Sequence, residues 1–411
     1  MTLRIITLSG TRRPVSSISH NFQRLQRSFV SLPVDRAIEE ETLPHYNPDQ
    51  FFPVHIGNVL NDRYNVTGKL GYGAYSTSWL CQNLRTQTHV VLKVSTFLRN
   101  FPTAAHREVK VYEHLASIKS THPCQSLVRE LYVSFELQGN AGKHQCLALQ
   151  PMHMTLLEVM GLNKESFDLP LIKMTLRRLL LALDFLHTEA NVIHTDLKTD
   201  NLMLSIEDST ILTDFEDEEV RQPSLRRNIN ESHPVYQSRR FRRPLRHGLP
   251  ILCDFGEARV GRVHESGPFI QPHIYRAPEV IFEMTWGSAI DIWNLGALSG
   301  IFEGSHLFGD IFDDNGNHDP FKQLALMVAL IGSPSVEFIK RSEPTEQCFD
   351  NKGNWVAHGD AIVPQVSLDS LEKRLSGSEK EQFISFLKSM LRWLPEERKT
   401  AKQLLDDPWL R

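Results

Sequence analysis

The stretch Val192-Ile-His-Thr-Asp-Leu-Lys-Thr-Asp-Asn-Leu-Met-Leu204 constrains this chain more than any other. It sets Asp196, Lys198 and Asn201 in one short loop between two apolar runs. A carboxylate, an ammonium and an amide at that spacing suit phosphoryl transfer. The carboxylate can accept a hydroxyl proton, the ammonium can neutralise a phosphate, and the amide oxygen can hold a metal ion. The chain has 411 residues, 41% of them hydrophobic, which is room for two lobes and a sizeable core. Its net charge of −4 offers no basic field for nucleic acid. The cysteines (Cys81, Cys124, Cys146, Cys253, Cys348) are scattered without metal-type spacing, which suits reduced thiols in an intracellular protein. No apolar run reaches the roughly 18 residues that a membrane span needs.

Residues Met1 to Val34 contain arginine, serine and threonine but no Asp or Glu. That composition is either a disordered basic tail or a mitochondrial transit peptide. Glu39-Glu-Glu41 then reverses the sign of the charge. The expectation for residues 1–50 is a disordered tail, basic and then acidic.

From Phe51 the pattern turns β-rich. Val66-Thr-Gly-Lys-Leu-Gly-Tyr-Gly-Ala-Tyr-Ser-Thr-Ser-Trp-Leu80 reads as two strands with a glycine turn. Gly71 and Gly73 would let backbone N–H groups approach phosphates, although alone the pattern is an ordinary hairpin. His89-Val-Val-Leu-Lys-Val94 reads as a buried strand carrying Lys93, which needs an acidic partner. The helical stripe of Ala104 to Leu115 offers Glu108 or Glu113. Cys146 to Met152 is a strand running to a connector, and Leu169 to Ala190 a long amphipathic helix.

Ser205 to Gly248 divides into an acidic half and a basic half. Segregated charge of this kind is expected to form a solvated segment, with a regulatory or docking spacer as the alternative. Structure resumes at Gly248-Leu-Pro-Ile-Leu-Cys-Asp-Phe-Gly-Glu-Ala-Arg259, where Asp254 follows an apolar strand.

Taken in order, these motifs resemble those of eukaryotic protein kinases. The resemblance covers Phe51 to Arg411. It implies an α+β, bilobal protein kinase-like fold, with a small β-rich N-lobe over residues 51–151 and a larger helical C-lobe over 152–411 that carries the charged spacer at about 205–248. It implies ATP and Mg²⁺ as cofactors. The catalytic residues would be Asp196 and Lys198, with Asn201 and Asp254 on the metal. Lys93 would hold the nucleotide's α- and β-phosphates, steadied by Glu108. The glycine loop would be Leu70, Gly71, Tyr72, Gly73, Ala74, Tyr75, Ser76, Thr77 and Ser78. Leu149 would back the adenine, and backbone groups near Gln150 to Met152 would meet its edge. Glu279 would pair with Arg398 in a structural salt bridge, and Asp291 would brace the catalytic loop.

Phe52-Pro-Val-His-Ile-Gly57, Lys69 to Leu80 and His194-Thr-Asp196 are similar to the Ser/Arg-protein kinases, which also carry a spacer between catalytic loop and metal aspartate. This likeness implies protein substrates rich in Arg and Ser, such as splicing factors, a monomer, and a place in cytoplasm and nucleus. Asp310, Asp313, Asp314 and Asp319 would attract guanidinium groups, unless their loop is simply solvated. Thr195 stands where many kinases carry an arginine that pairs with a phosphate on the activation segment. The rival readings are a pseudokinase scaffold, for which Ser78 in place of the usual valine is the one supporting residue, and a Clk or dual-specificity kinase.

Overall fold

The computed structural model describes residues 32, 37–97, 102–120, 122, 126–162, 168–230, 233–244, 246, 248–265, 267, 270–298, 306–309, 311–313, 315–356 and 361–411. The basic stretch Met1 to Val34 lies, Leu32 apart, outside them. A six-stranded antiparallel sheet comes first, in the order β1-β2-β3-β4-β6-β5. Its strands are β1 (Val59–Leu60), β2 (Tyr64–Gly73), β3 (Ser76–Asn83), β4 (Thr88–Ser95), β5 (Leu131–Gln138) and β6 (Lys143–Leu149). Alternation buries Val66, Trp79, Cys81, Val90, Leu92, Val94 and Cys146 on one face. The helix α1 (Pro102–Ser117) packs against the other. Its apolar stripe of Val109, Tyr112 and Leu115 is buried, as its spacing predicts.

The second lobe is mainly helical. β7 (Met152–Thr155) leads into α2 (Leu156–Leu162) and α3 (Leu169–Asp184). The Asp168 side chain caps α3 by accepting from the Leu171 N–H at 3.0 Å. A π-helical turn, Phe185–Ala190, continues it to Asn191, whose left-handed φ of 50° ends the run. Leu176, Leu179, Leu180, Leu183 and Leu186 are core, as the stripe predicts. β8 (Val192–Ile193) and β9 (Leu202–Ser205) then frame the catalytic-type loop.

The charged spacer is folded, which corrects the solvated expectation. It forms α4 (Thr210–Arg221) and a hairpin of β10 (Arg226–Asn228) with β11 (Pro234–Tyr236). Ile211, Leu212 and Phe215 are buried along α4. Tyr236 enters the N-lobe core, edge-on to Trp79 at 5.8 Å. Gly68 permits this docking, because a Cβ there would lie 2.6 Å from the Phe215 ring. The two charge halves fold onto each other. Arg242 bonds Asp214 and Asp208, and Arg239 donates to Glu219 at 2.8 Å. Opposite charges that form separate blocks in the sequence thus meet in the fold.

The acidic triplet is folded as well, so residues 37–50 are not a disordered tail. Glu39–Thr42 is one 3₁₀ turn on β2 and β11. Glu40 and Glu39 meet the buried Lys69, Glu41 pairs with Arg227, and Ser238 Oγ donates to Glu39 at 2.6 Å.

β12 (Pro250–Leu252) pairs with β9 and returns the chain to the interlobe cleft. β13 (Arg259–Val260) pairs with β8. After β14 (Val263–His264) come α5 (Pro278–Ile281), α6 (Ala289–Leu298) and α7 (Pro320–Ile331). Glu279 and Arg398 form a two-pronged pair at 2.6 and 2.7 Å with neither side chain exposed. Losing one partner would strand a buried charge, at a cost of about 3–5 kcal/mol. Cys81, Cys146, Cys253 and Cys348 are buried free thiols. Among the described residues no helix is long and apolar enough to cross a membrane.

Candidate active site

Asp291 organises the loop that holds the chemistry. It is fully buried on α6 and accepts from the backbone N–H groups of His194 and Thr195 at 2.8 and 2.9 Å. His187 meets the same carboxylate at 2.8 Å. This grip holds Thr195 at φ 66°, a left-handed backbone that a β-branched residue rarely adopts. The Thr195 hydroxyl donates to the Glu257 carbonyl at 2.7 Å, tying the loop to the segment after Asp254.

The loop and the single 3₁₀ turn Thr199–Asn201 that follow present the polar set. Lys198 Nζ donates to Asp196 Oδ2 at 2.8 Å, and Asn201 Nδ2 reaches the same oxygen at 2.9 Å and the Asp196 carbonyl at 2.8 Å. Those bonds fix Asn201 with its amide nitrogen turned to Asp196, which leaves its oxygen for another partner. Across the cleft, Lys93 bonds both oxygens of Glu108, at 2.8 and 2.9 Å, and Asp254 Oδ1 at 2.9 Å. Glu108, rather than Glu113, is therefore the partner of Lys93.

Charge balance differs among these three. Burial works against the Lys93 cation, but Asp254 and Glu108 outweigh it and raise its pKa above the ordinary value. The Lys93 ammonium holds the Asp254 carboxyl well below the usual range, so Asp254 is ionised at any working pH. Glu108 goes the other way. Burial raises its pKa, and Lys93 only partly offsets this.

Two cavities meet at Lys93, Glu108 and Asp254. The larger, about 580 Å³, runs between the lobes. Leu70, Gly71, Tyr72, Gly73, Ser76 and Ser78 form its roof, with Leu149 and Met152 at the connector and Asn201 and Asp254 below. A Cβ at Gly71 or Gly73 would meet nothing within 4 Å, so both backbones face open space. The other, about 500 Å³, is lined by Ala74, Tyr75, Asp196 and Lys198. A long, partly apolar pocket thus opens at its polar end onto the Asp196 carboxylate.

Two expected residues fall elsewhere. Thr77 is buried and accepts from the Trp79 indole at 2.9 Å. Gln150 lines neither cavity. Its N–H donates to the Glu130 carbonyl at 3.0 Å and its C=O accepts from Arg129 Nε at 2.9 Å. Tyr112, expected only as a core residue of the helical stripe, lines the larger cavity, and so do Arg129, His153, Glu158 and Asp200, which the sequence does not single out. Only Asp200, beside Asn201, carried a signal there. In the acidic loop, Asp310 and Asp314 lie outside the described residues. Asp313 accepts from the N–H groups of Asn315 and Asn317, and Asp319 caps α7.

The chain resembles known proteins in sequence and in fold. The sequence model of the family described as "Protein kinase domain" matches residues 64–228 and 246–410. A serine/threonine protein kinase of Aspergillus fumigatus is 42% identical over 91% of both chains. The Serine/threonine-protein kinase SRPK of Physarum polycephalum is 29% identical over 90% of this chain and 91% of its own. SRSF protein kinase 3 of Homo sapiens is 33% identical over 42% of this chain and 31% of its own. A crystal structure of a kinase domain superposes with a TM-score of 0.67 at 21% identity, covering 89% of this chain and all of its own, and bears out the bilobal fold.

The chain belongs to the protein kinase family and is a serine/threonine protein kinase. Within that family its affinity is to the Ser/Arg-protein kinases. Membership brings the use of ATP with a divalent metal.

Proposed function

We propose that this kinase transfers the γ-phosphate of Mg²⁺-bound ATP to serine or threonine hydroxyls in Arg/Ser-rich proteins. One observation carries the reading of the chemistry: Asp196, held by Lys198 and Asn201 at 2.8–2.9 Å, faces the cavity that shares Lys93 and Asp254 with the interlobe pocket. Asp196 orients the acceptor hydroxyl and takes its proton. Lys198 neutralises charge beside it. Lys93 holds the α- and β-phosphates, and Glu108 keeps Lys93 in place.

The free amide oxygen of Asn201 and the ionised Asp254 are hard oxygen donors, and both line the pocket. They fit Mg²⁺, which favours one or two protein oxygens with the rest from phosphate and water. Among the described residues no group of three His, Cys, Asp or Glu could hold a metal unaided, in keeping with a metal that arrives with its nucleotide. When bound, the ion draws charge from the transferring phosphoryl group.

The substrate class rests on relatives whose names include SRSF protein kinase and SRPK. Asp313 and Asp319 support it by charge, although their own loop engages both carboxylates. Transfer from Mg-ATP to two peptides, one Arg/Ser-rich and one without arginine, tests it. Preferred transfer to the first is expected, with a Michaelis constant that rises in D313K/D314K. Equal transfer to both would sink the substrate class. The same reading puts the protein in cytoplasm and nucleus, and imaging of a tagged chain against a mitochondrial marker decides that.

A further inference from the structure

The interlobe pocket has a wall that the family pattern does not contain. The family match passes over residues 229–245, yet Arg239, Arg240, Phe241 and Arg243 line the larger cavity. Three ties hold this strap across the mouth. The Arg239 N–H donates to the carbonyl of Lys69, one residue before Leu70 in the roof, at 2.9 Å. On the floor side the Arg242 carbonyl bonds His153 Nε2 at 2.9 Å, and Arg240 pairs with Glu158 at 2.8 Å. Phe241 lies between these ties. Its ring packs 5.2 Å from that of Phe215 and 5.9 Å from that of His153, on the same small apolar cluster that Leu70 of the roof packs against. The residue is only half-buried.

Ser78 leaves the roof short of apolar cover, and Phe241 brings an aromatic side chain to the same cavity from the strap. We infer that Phe241 is a nucleotide-positioning residue: the strap 239–243 forms a front wall of the ATP pocket, and the Phe241 ring packs against the bound nucleoside. The inference rests on the interlobe cavity being the nucleotide site, as proposed above. The strap is tied to both lobes, so the wall is present before nucleotide arrives and raises affinity rather than turnover.

Calorimetric titration of the full chain with Mg-ADP separates the two readings. Binding by the wild-type chain upholds the nucleotide site, and its absence would sink that site. F241A is expected to bind about tenfold more weakly, the effect of uncovering part of an aromatic face, with F241L between the two. The Michaelis constant for ATP should rise by a similar factor while kcat at saturating ATP stays within about twofold. Wild-type affinity in a folded F241A would overturn the front wall and leave the nucleotide site standing. F241W keeps the ring and covers the case in which F241A does not fold. Its indole emission should change on adding Mg-ADP beyond the change seen for wild type, and an unchanged difference spectrum would place residue 241 away from the nucleotide.

Discussion

Lys69 and Lys93 project from two strands of one sheet, and each meets two acidic side chains, yet their surroundings differ. Lys69, on β2, is wholly buried between Glu40, Glu39 and the carbonyl of Tyr236. Every direction around its ammonium is taken. Lys93, on β4, holds Glu108 and Asp254 but keeps 18% of its side chain exposed, and Asp254 keeps 47%. The open side faces the cavity. A closed ion pair contributes to architecture, whereas one with a vacant side toward a pocket is available for chemistry. Residue type alone does not separate them.

Replacing each lysine with methionine tests this contrast most strongly. K93M should lower turnover by about two to four orders of magnitude, as expected when a positioned charge is removed from a phosphoryl-transfer site. Its unfolding midpoint should move less than that of K69M, because Lys93 and Asp254 keep 18% and 47% of their side chains exposed, so water can reach the charges left behind. K69M should do the reverse. It strands buried Glu40 and should cost about 3–5 kcal/mol in denaturant unfolding, largely regained in K69M/E40Q. If K69M proved as stable as wild type, the closed pair would have no architectural weight.

The contrast also explains what could be read from the residues alone. Asp196, Lys198, Asn201 and Asp254 announce themselves because phosphoryl transfer demands those groups at close sequence spacing or beside a buried strand. Lys93 with Glu108 was reachable because a lysine in an apolar strand must find an acid, and a helix follows. The partners of Lys69 were not reachable. Glu40 stands 29 residues away and Tyr236 stands 167 away, across an irregular turn and an insert with no repeating pattern. Charge runs carry no register, so Glu39-Glu-Glu41 and the arginines of 226–243 read as solvated, when the triplet in fact meets Lys69 and Arg227, and Arg239 and Arg242 meet acids of the insert itself. Gly68, just ahead of the glycine loop, carries no signal of its own in the sequence, and its reason for being glycine is the Phe215 ring.

Acid offers a milder test of the same division. His233, buried at the hairpin of the insert, has its pKa lowered, chiefly by burial and also by neighbouring His55 and Lys69, with Asp49 opposing. A depressed folded value means that the folded state disfavours the proton. The associated stability is complete above the ordinary value of 6.5 and is lost as pH falls through the folded value. Hydrogen exchange should therefore loosen β10 and β11 below about pH 6.5 before it loosens α6. Simultaneous opening of both would show that the insert is no separate unit.

The smallest expected effect is none. Thr195 supplies a hydroxyl to the Glu257 carbonyl where a charged residue would be needed to receive a phosphate. Phosphatase treatment should leave activity within about twofold of the starting value. Loss of activity, with a phosphosite mapped between Glu257 and Tyr275, would overturn this.

The placement of Glu39-Glu-Glu41 also limits how the polypeptide can be shortened. A protease or import peptidase that cuts ahead of Ile38 leaves the acidic turn seated on Lys69 and Arg227. A cut only four residues later removes three carboxylates at once and leaves the buried cations of Lys69 and Arg227 without them. How far the chain can be trimmed is thus set by the sheet, to within one turn of backbone.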